Sequence, residues 1–161
     1  MYLTLSDYRK LIKDEVLQIV TSNDNDIRTD AEMAAQQQME SYLSSKYDIR
    51  AVFLGYDTFS DTSSYDVALR MVQNNAVYEA IAIVSPGAFN PTEWKLIFMR
   101  SPLITMYYVD MVLYHVHTRI SPRNVPEMRD DRYRAAIKWL HDVSIGELSP
   151  LLPLADRKSV V

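Results

Sequence analysis

At 161 residues the chain has the length of one domain, and with 48% apolar residues it can bury a core without covalent staples. Its 17 basic and 21 acidic side chains leave a net charge of −4, which argues against a protein that works by neutralising phosphates. Cysteine is absent, so disulfides, thiolate metal sites and thiol nucleophiles are excluded together.

The opening MYLTLSDYRK carries Asp7 and Lys10 and no apolar stretch before a small-residue cleavage site, so no signal peptide and an intracellular product are expected. Helix one is predicted over residues 4–20, capped by Thr4, with Leu5, Tyr8, Ile12, Val16 and Ile19 on one face. After the polar turn TSNDND, Thr29 and Glu32 stand at capping-box spacing and predict a second helix running to about Tyr47. Its apolar face is thin: Ala31, Ala35, Met39, Tyr42 and Leu43.

Between residues 48 and 99 the helical period gives way to short apolar runs separated by turn residues. Residues 77–85 and 93–99 favour strands, with PGAFNP between them as a hairpin loop and AVFLG (51–55) as a weaker third strand. A lone hairpin is marginal in water, so its two apolar faces need the helical core or another subunit. Helix three is announced by Ser101 and Pro102 and runs to about Ile120. It is apolar nearly all round, as a central helix would be, and with Asp110 at its middle its apolar run is too short to span a bilayer. Helix four starts at Pro126 and stops at Gly146, with Tyr133, Ala136, Ile137, Leu140 and Val143 at helical spacing. The fold expected is mainly α: a single domain over 1–161, with a small bundle of about four helices (1–47 and 100–146), a β-hairpin arm inserted at 48–99, and an extended C-terminal tail (147–161).

No catalytic, cofactor or metal site emerges. The glycines Gly55, Gly87 and Gly146 are too scattered to cradle a phosphate, and no G-x-S-x-G nucleophile elbow is present. His115 and His117 are two residues apart on a helix and point in roughly opposite directions, whereas zinc-binding helical pairs need i and i+4. Asp110 is costly in an apolar helix unless it is paired. A buried clasp is therefore expected, with Arg132, Arg134 or nearby Tyr and His side chains such as His117 as its mates. The arginines from Arg129 onward are interleaved with Glu127, Asp130 and Asp131, a pattern that suits solvated or intersubunit ion pairs better than a phosphate track. The alternative is a small helix-turn-helix DNA-binding regulator built on helices three and four, whose junction is rich in arginine.

Taken together, YVDMVLYHVHTRI, then SPRNVPEMRDDRYRAAIKWLHDVSIGEL, then a proline-bearing leucine tail, resemble the head-to-tail connector (adaptor, or neck ring) family of tailed bacteriophages. The matching positions are Asp110, Tyr114, Val125, Pro126, Arg132, Tyr133, Ala136, Trp139, Leu140 and Gly146, and MYLTLSDY is similar to the family's capped first helix. The PRNVPE version is closest to ring proteins of crAss-like phages. Residues 48–99 depart from the pattern, since the family's linker there is shorter. The resemblance implies a non-catalytic virion protein, made in the host cytoplasm, that forms a homo-oligomeric ring, commonly of twelve copies, beneath the portal. Such a ring binds the portal and further neck or tail proteins, contacts no membrane, and lets DNA pass through its lumen without sequence-specific binding. It also implies that Arg129, Asp130, Asp131, Arg132 and Trp139 meet neighbouring subunits, and that Leu151, Leu152 and Leu154 dock to the portal. A lumen that is neutral or negative would let DNA slide.

Overall fold

The computed structural model describes residues 2–156, so the last residues of the expected tail, 157–161, lie outside the described chain. Six α-helices and a three-stranded antiparallel sheet are formed: α1 (Leu5–Arg9), α2 (Asp14–Val20), α3 (Asn25–Leu43), α4 (Ile49–Val52), β1 (Arg70–Gln73), β2 (Ala76–Ala80), β3 (Trp94–Met99), α5 (Pro102–Ile120) and α6 (Glu127–Ser144). The architecture is mixed α and β, which corrects the expectation of a plain helical bundle with a hairpin arm. Two compact units result. One comprises Met1–Ser45 and Pro102–Pro150; the other comprises Lys46–Ser101 and the chain from Leu151 onward.

In the helical unit α5 is the central element, in contact with α1, α2, α3 and α6. Ile104, Tyr108, Val109, Met111, Val112, Leu113 and Val116 are all buried along it. On α3 the buried apolar positions are Ala31, Ala35, Met39 and Leu43, two small side chains followed by two large ones. Ala136, Leu140 and Val143 give α6 its buried stripe.

The expected first helix is two helices. Leu11 and Ile12 lie in the break between α1 and α2, and the Leu11 carbonyl accepts a 3.0 Å hydrogen bond from Arg129 on α6. A distant side chain thus satisfies backbone that a continuous helix would have used. The apolar period slips across the break: Tyr8, Ile12 and Leu17 are buried, whereas Leu5, Val16 and Ile19 are exposed. The start of α3 also differs from expectation. Asp24 caps it by accepting from the Asp26 amide at 2.9 Å. Thr29 lies inside the helix and donates back to the Asn25 carbonyl.

Pro102 opens α5 and Pro126 precedes α6, as their positions in the sequence suggest. Gly146 closes α6 at φ +85°; its amide donates to Val143 and that of Glu147 to Asp142, which is the Schellman arrangement. A side chain at this φ is strained, so Gly146→Ala should cost about 1–2 kcal/mol in urea unfolding.

In the second unit the sheet order is β1-β2-β3. Asn74 and Asn75, at φ +49° and +60°, make the two-residue turn between β1 and β2, a left-handed pair that asparagine tolerates well. Arg70 faces Glu79 across this hairpin, and Tyr78 pairs with Met71 on one side and Leu96 on the other. A bulge between Val77 and Tyr78 shifts the β2–β3 register. The expected strand 77–85 ends at Ala80, and Val84 instead pairs with Tyr65, so PGAFNP is part of a longer excursion and not a tight hairpin loop. AVFLG is not a strand. Asp48 caps a short helix there by accepting from the Ala51 amide, and Ala51, Val52 and Phe53 are buried. Met71, Ala80, Val84 and Trp94 form one buried cluster of this unit, with Phe59, Tyr65, Tyr78 and Phe89 packed against it.

Candidate functional site

Asp110 is 3% exposed on the central helix, and its Oδ1 accepts a 2.6 Å hydrogen bond from Arg132 Nε on α6. Both residues belong to the α5–α6 contact, and the link is a charge-assisted bond between an almost fully buried carboxylate and a partly exposed guanidinium. Arg129, one turn earlier on α6, is also buried. Its Nη2 holds the Leu11 carbonyl, and its Nη1 is buried without a hydrogen-bond partner. Burial lowers the Arg129 pKa, the Asp110 charge opposes that shift, and Arg132 reinforces it. One carboxylate therefore serves two guanidinium groups. Removing it would leave both cations with less compensation in a low-dielectric setting.

Of the residues expected in the clasp, Arg134 and His117 take other partners. Arg134 projects outward and pairs with Asp130 at 2.7 Å, one turn back on its own helix. The His117 ring donates through Nδ1 to the Leu113 carbonyl at 2.7 Å. Helical rotation explains the choice: Arg129 and Arg132 are three residues apart and share the face toward α5, whereas Arg134 lies on the other side.

The residues expected at subunit contacts divide in the same way. Arg129 is buried within the chain and is withdrawn from that set, since its guanidinium is occupied by Leu11 and the Asp110 field. Arg132 is committed to Asp110. Asp130 is held by Arg134, Asp131 is exposed, and Trp139 is half-buried with its ring 5.2 Å from that of Tyr107. In the tail, Leu151 and Leu154 are exposed and Leu152 is partly covered. The tail is not wholly free: the Asp48 amide donates to the Pro153 carbonyl, the Ala155 amide to Lys46, and Leu154 bridges to Tyr47.

Two further polar networks were not visible in the sequence. Glu32, whose spacing from Thr29 imitates a capping box, is buried and accepts a 2.6 Å bond from the Tyr8 hydroxyl. Tyr108 donates to its backbone carbonyl at 2.8 Å, and Arg28 Nε stands at ion-pair distance, 3.5 Å from Oε1. This ties α1, α3 and α5 together. Burial raises the Glu32 pKa, outweighing the Tyr8 bond and the Arg28 charge, which lower it. The folded chain thus holds this proton more tightly than the unfolded chain, and the group's favourable contribution declines as pH rises from the ordinary glutamate range through the raised value. Glu32→Gln, which keeps an acceptor for Tyr8, lacks that decline, so the variant-minus-parent stability measured by urea unfolding should rise from pH 4 to 8. Glu32→Ala should cost about 1–3 kcal/mol, because it orphans the Tyr8 hydroxyl. In the second unit, Arg70 bridges Asp48 at 2.8 Å and Glu79 at 2.9 Å, and Tyr56 donates to the same Asp48 oxygen.

An open groove of about 500 Å³ lies along α6, lined by Tyr42, Tyr114, Tyr133, Ile137 and His141 together with the charged side chains of Asp130, Arg134 and Lys138. The Tyr114 and Tyr133 rings stack 3.9 Å apart at 10°, and Gln38 holds both the Tyr133 hydroxyl, to which its amide donates, and the His115 ring. Burial lowers the His115 pKa and so favours its neutral form. Among the described residues no group of three or more His, Asp or Glu side chains is arranged to hold a metal ion, and no helix is long and apolar enough to cross a membrane.

Residues 99–159, from the end of β3 through α5 and α6 into the tail, match the family model described as Bacteriophage Mu, Gp36. No curated protein and no solved structure gives a match. The α5–α6 part of the chain is therefore similar to a bacteriophage protein, and the chain is read as a phage protein.

Proposed function

We propose that this chain is a structural protein of the phage virion that forms a ring in the neck, joins the portal to the tail and extends the DNA channel. It acts by assembly and carries out no catalysis. The observation that supports this most is where the connector-like residues sit. Asp110 bonds Arg132, Tyr114 stacks on Tyr133, and Ala136 and Leu140 are buried, so the motif is the packing seam of α5 and α6. That seam lies inside the span similar to the phage family. Exposed apolar side chains supply the second support. Ile19 (73%) and Ile83 (72%) are more open than an isolated chain gains from, with Leu5, Val16, Ile81 and Met99 also exposed. A head-to-tail ring buries unlike flanks of successive copies and closes on itself, which gives such residues cover. Asp130, Asp131 and the open edge of Trp139 remain as ring-contact residues.

The DNA-binding regulator is the weaker reading, because Arg129, Arg132 and Arg134 are bonded to Leu11, Asp110 and Asp130, which leaves Arg119 and Arg123 as the exposed arginines of the α5–α6 junction. Quantitative mass spectrometry of purified particles of the encoding phage tests the proposal. The chain should be present at a fixed ratio to the portal; its absence from mature particles would sink the idea.

A further inference from the structure

Residues 2–20, which carry α1 and α2, form an arm joined to the rest of the helical unit by the short turn at residues 21–24. The two helices have five and seven residues, too few for either to be stable alone in water. The arm is therefore ordered by the surface that receives it. Its polar ties reach three helices of that surface: the Tyr2 hydroxyl bonds Thr105 on α5 at 3.0 Å, the Tyr8 hydroxyl donates to Glu32 on α3 at 2.6 Å, and the Leu11 carbonyl accepts from Arg129 on α6 at 3.0 Å. Leu3, Tyr8, Ile12 and Leu17 are buried along it. The Thr4–Asp7 and Arg9–Asp14 bonds are internal to the arm and travel with it. Every receiving group lies beyond the turn, so an identical arm from another copy satisfies the same surface equally.

The two arrangements differ at the turn. Ser22 and Asn23 both stand in the left-handed region, at φ +54° and +55°. The Ser22 amide donates to Ile19 and that of Asn23 to Gln18, which is the closure that Gly146 and Glu147 make at the end of α6, with serine in the place of glycine. Folding the arm back on its own chain holds two side-chain-bearing residues in a disfavoured conformation, and an extended turn releases both. Short hinges under strain favour exchange of the element they carry. Exchange also creates one new contact where the turns of two copies cross, and the exposed Val16 and Ile19 stand beside that point at the end of α2.

We propose that in the assembled protein each copy passes residues 2–20 to the next, so that Tyr8 of one copy bonds Glu32 of its neighbour. This rests on the reading of the chain as a ring subunit and names the contact that links the copies. Each copy gives an arm on one flank and receives one on the other, the unlike pairing that a closed ring requires.

The test is photo-cross-linking of protein assembled with its portal from equal amounts of heavy-isotope-labelled and unlabelled chain. It uses p-azidophenylalanine in place of Tyr2, which keeps a ring beside Thr105. Mass spectrometry should find about half of the links joining an arm of one label to an α5 peptide of the other. Links confined to a single label overturn the exchange. A hinge variant tests it without the portal. Asn23→Pro can neither take a positive φ nor donate to Gln18, so it bars the folded-back arm and permits the exchanged one. At a concentration where the parent is mostly monomeric, light scattering should find the variant shifted to oligomers with its helical circular dichroism kept. A monomeric or unfolded variant overturns the inference. The ring reading fails separately: rings with all links inside one copy refute the exchange and leave the ring, whereas exchanged arms in a dimer that never closes on the portal support the exchange and refute the ring.

Discussion

Asp110→Ala is expected to destabilise the chain by about 3–5 kcal/mol, because it leaves Arg129 buried and Arg132 partly buried without their shared carboxylate. For a chain of this length that corresponds to a fall in Tm of roughly 2–4 °C per kcal/mol, easily read by circular dichroism. Asp110→Asn should cost less, since an amide oxygen still accepts from Arg132 while the charge is lost. The mechanism also dictates a rescue. Replacing Asp110 by Leu together with Arg129→Met and Arg132→Met removes all three charges and should recover much of the loss, as apolar replacements of buried ion pairs do. If Asp110→Ala unfolds at the parent's urea midpoint, the clasp does not hold α5 to α6. Such a result would also weaken the link between the connector-like motif and the fold.

Trp94→Ala is expected to have an effect of similar size, about 3–5 kcal/mol, in the sheet-containing unit. Trp94 is 5% exposed on β3, and its ring lies 5.2 Å from Tyr65, 6.0 Å from Phe59 and 6.1 Å from Phe89. Removing it takes the common partner from three aromatic rings and opens a cavity that a three-stranded sheet has few residues to refill. Hydrogen exchange should show lost amide protection across β1, β2 and β3. Trp94→Phe, which keeps an aromatic body, should cost less than half as much; its buried Nε1 has no hydrogen-bond partner to lose. Unchanged protection in Trp94→Ala would mean that the aromatic cluster does not stabilise the sheet.

How far the chain could be read in advance depended on whether local chemistry or a distant partner decided each feature. Pro102, Pro126 and Gly146 act within a few residues, and α5 and α6 begin and end close to where they direct. The break after α1 could not be read locally, because the group that satisfies Leu11 is Arg129, 118 residues away. Thr29 and Glu32 have capping-box spacing, yet Asp24 caps the helix and Glu32 is drawn to Tyr8. β1 was missed because RMVQ is short and polar at both ends; its legible signal was the following Asn74–Asn75 pair, suited to a left-handed turn. In AVFLG burial on all sides hid the period, so a helical turn looked like a strand.

The site divides along the same line. Asp110 stood out because an acid in an apolar helix requires a partner, and the sequence narrowed that partner to a few side chains. Choosing Arg132 over Arg134 needed the rotation of α6 about its axis. Arg129 was misjudged for a related reason: interleaved charges usually mark a solvated face, and here one of them turns inward to cap a break in another helix.

The most direct measurement is cryo-electron microscopy of this chain co-expressed with the portal of the same phage. A closed ring of copies seated on the portal and continuing its channel is the expected result. A chain that stays monomeric beside intact portals, at concentrations well above those in an infected cell, would contradict the assignment to the neck.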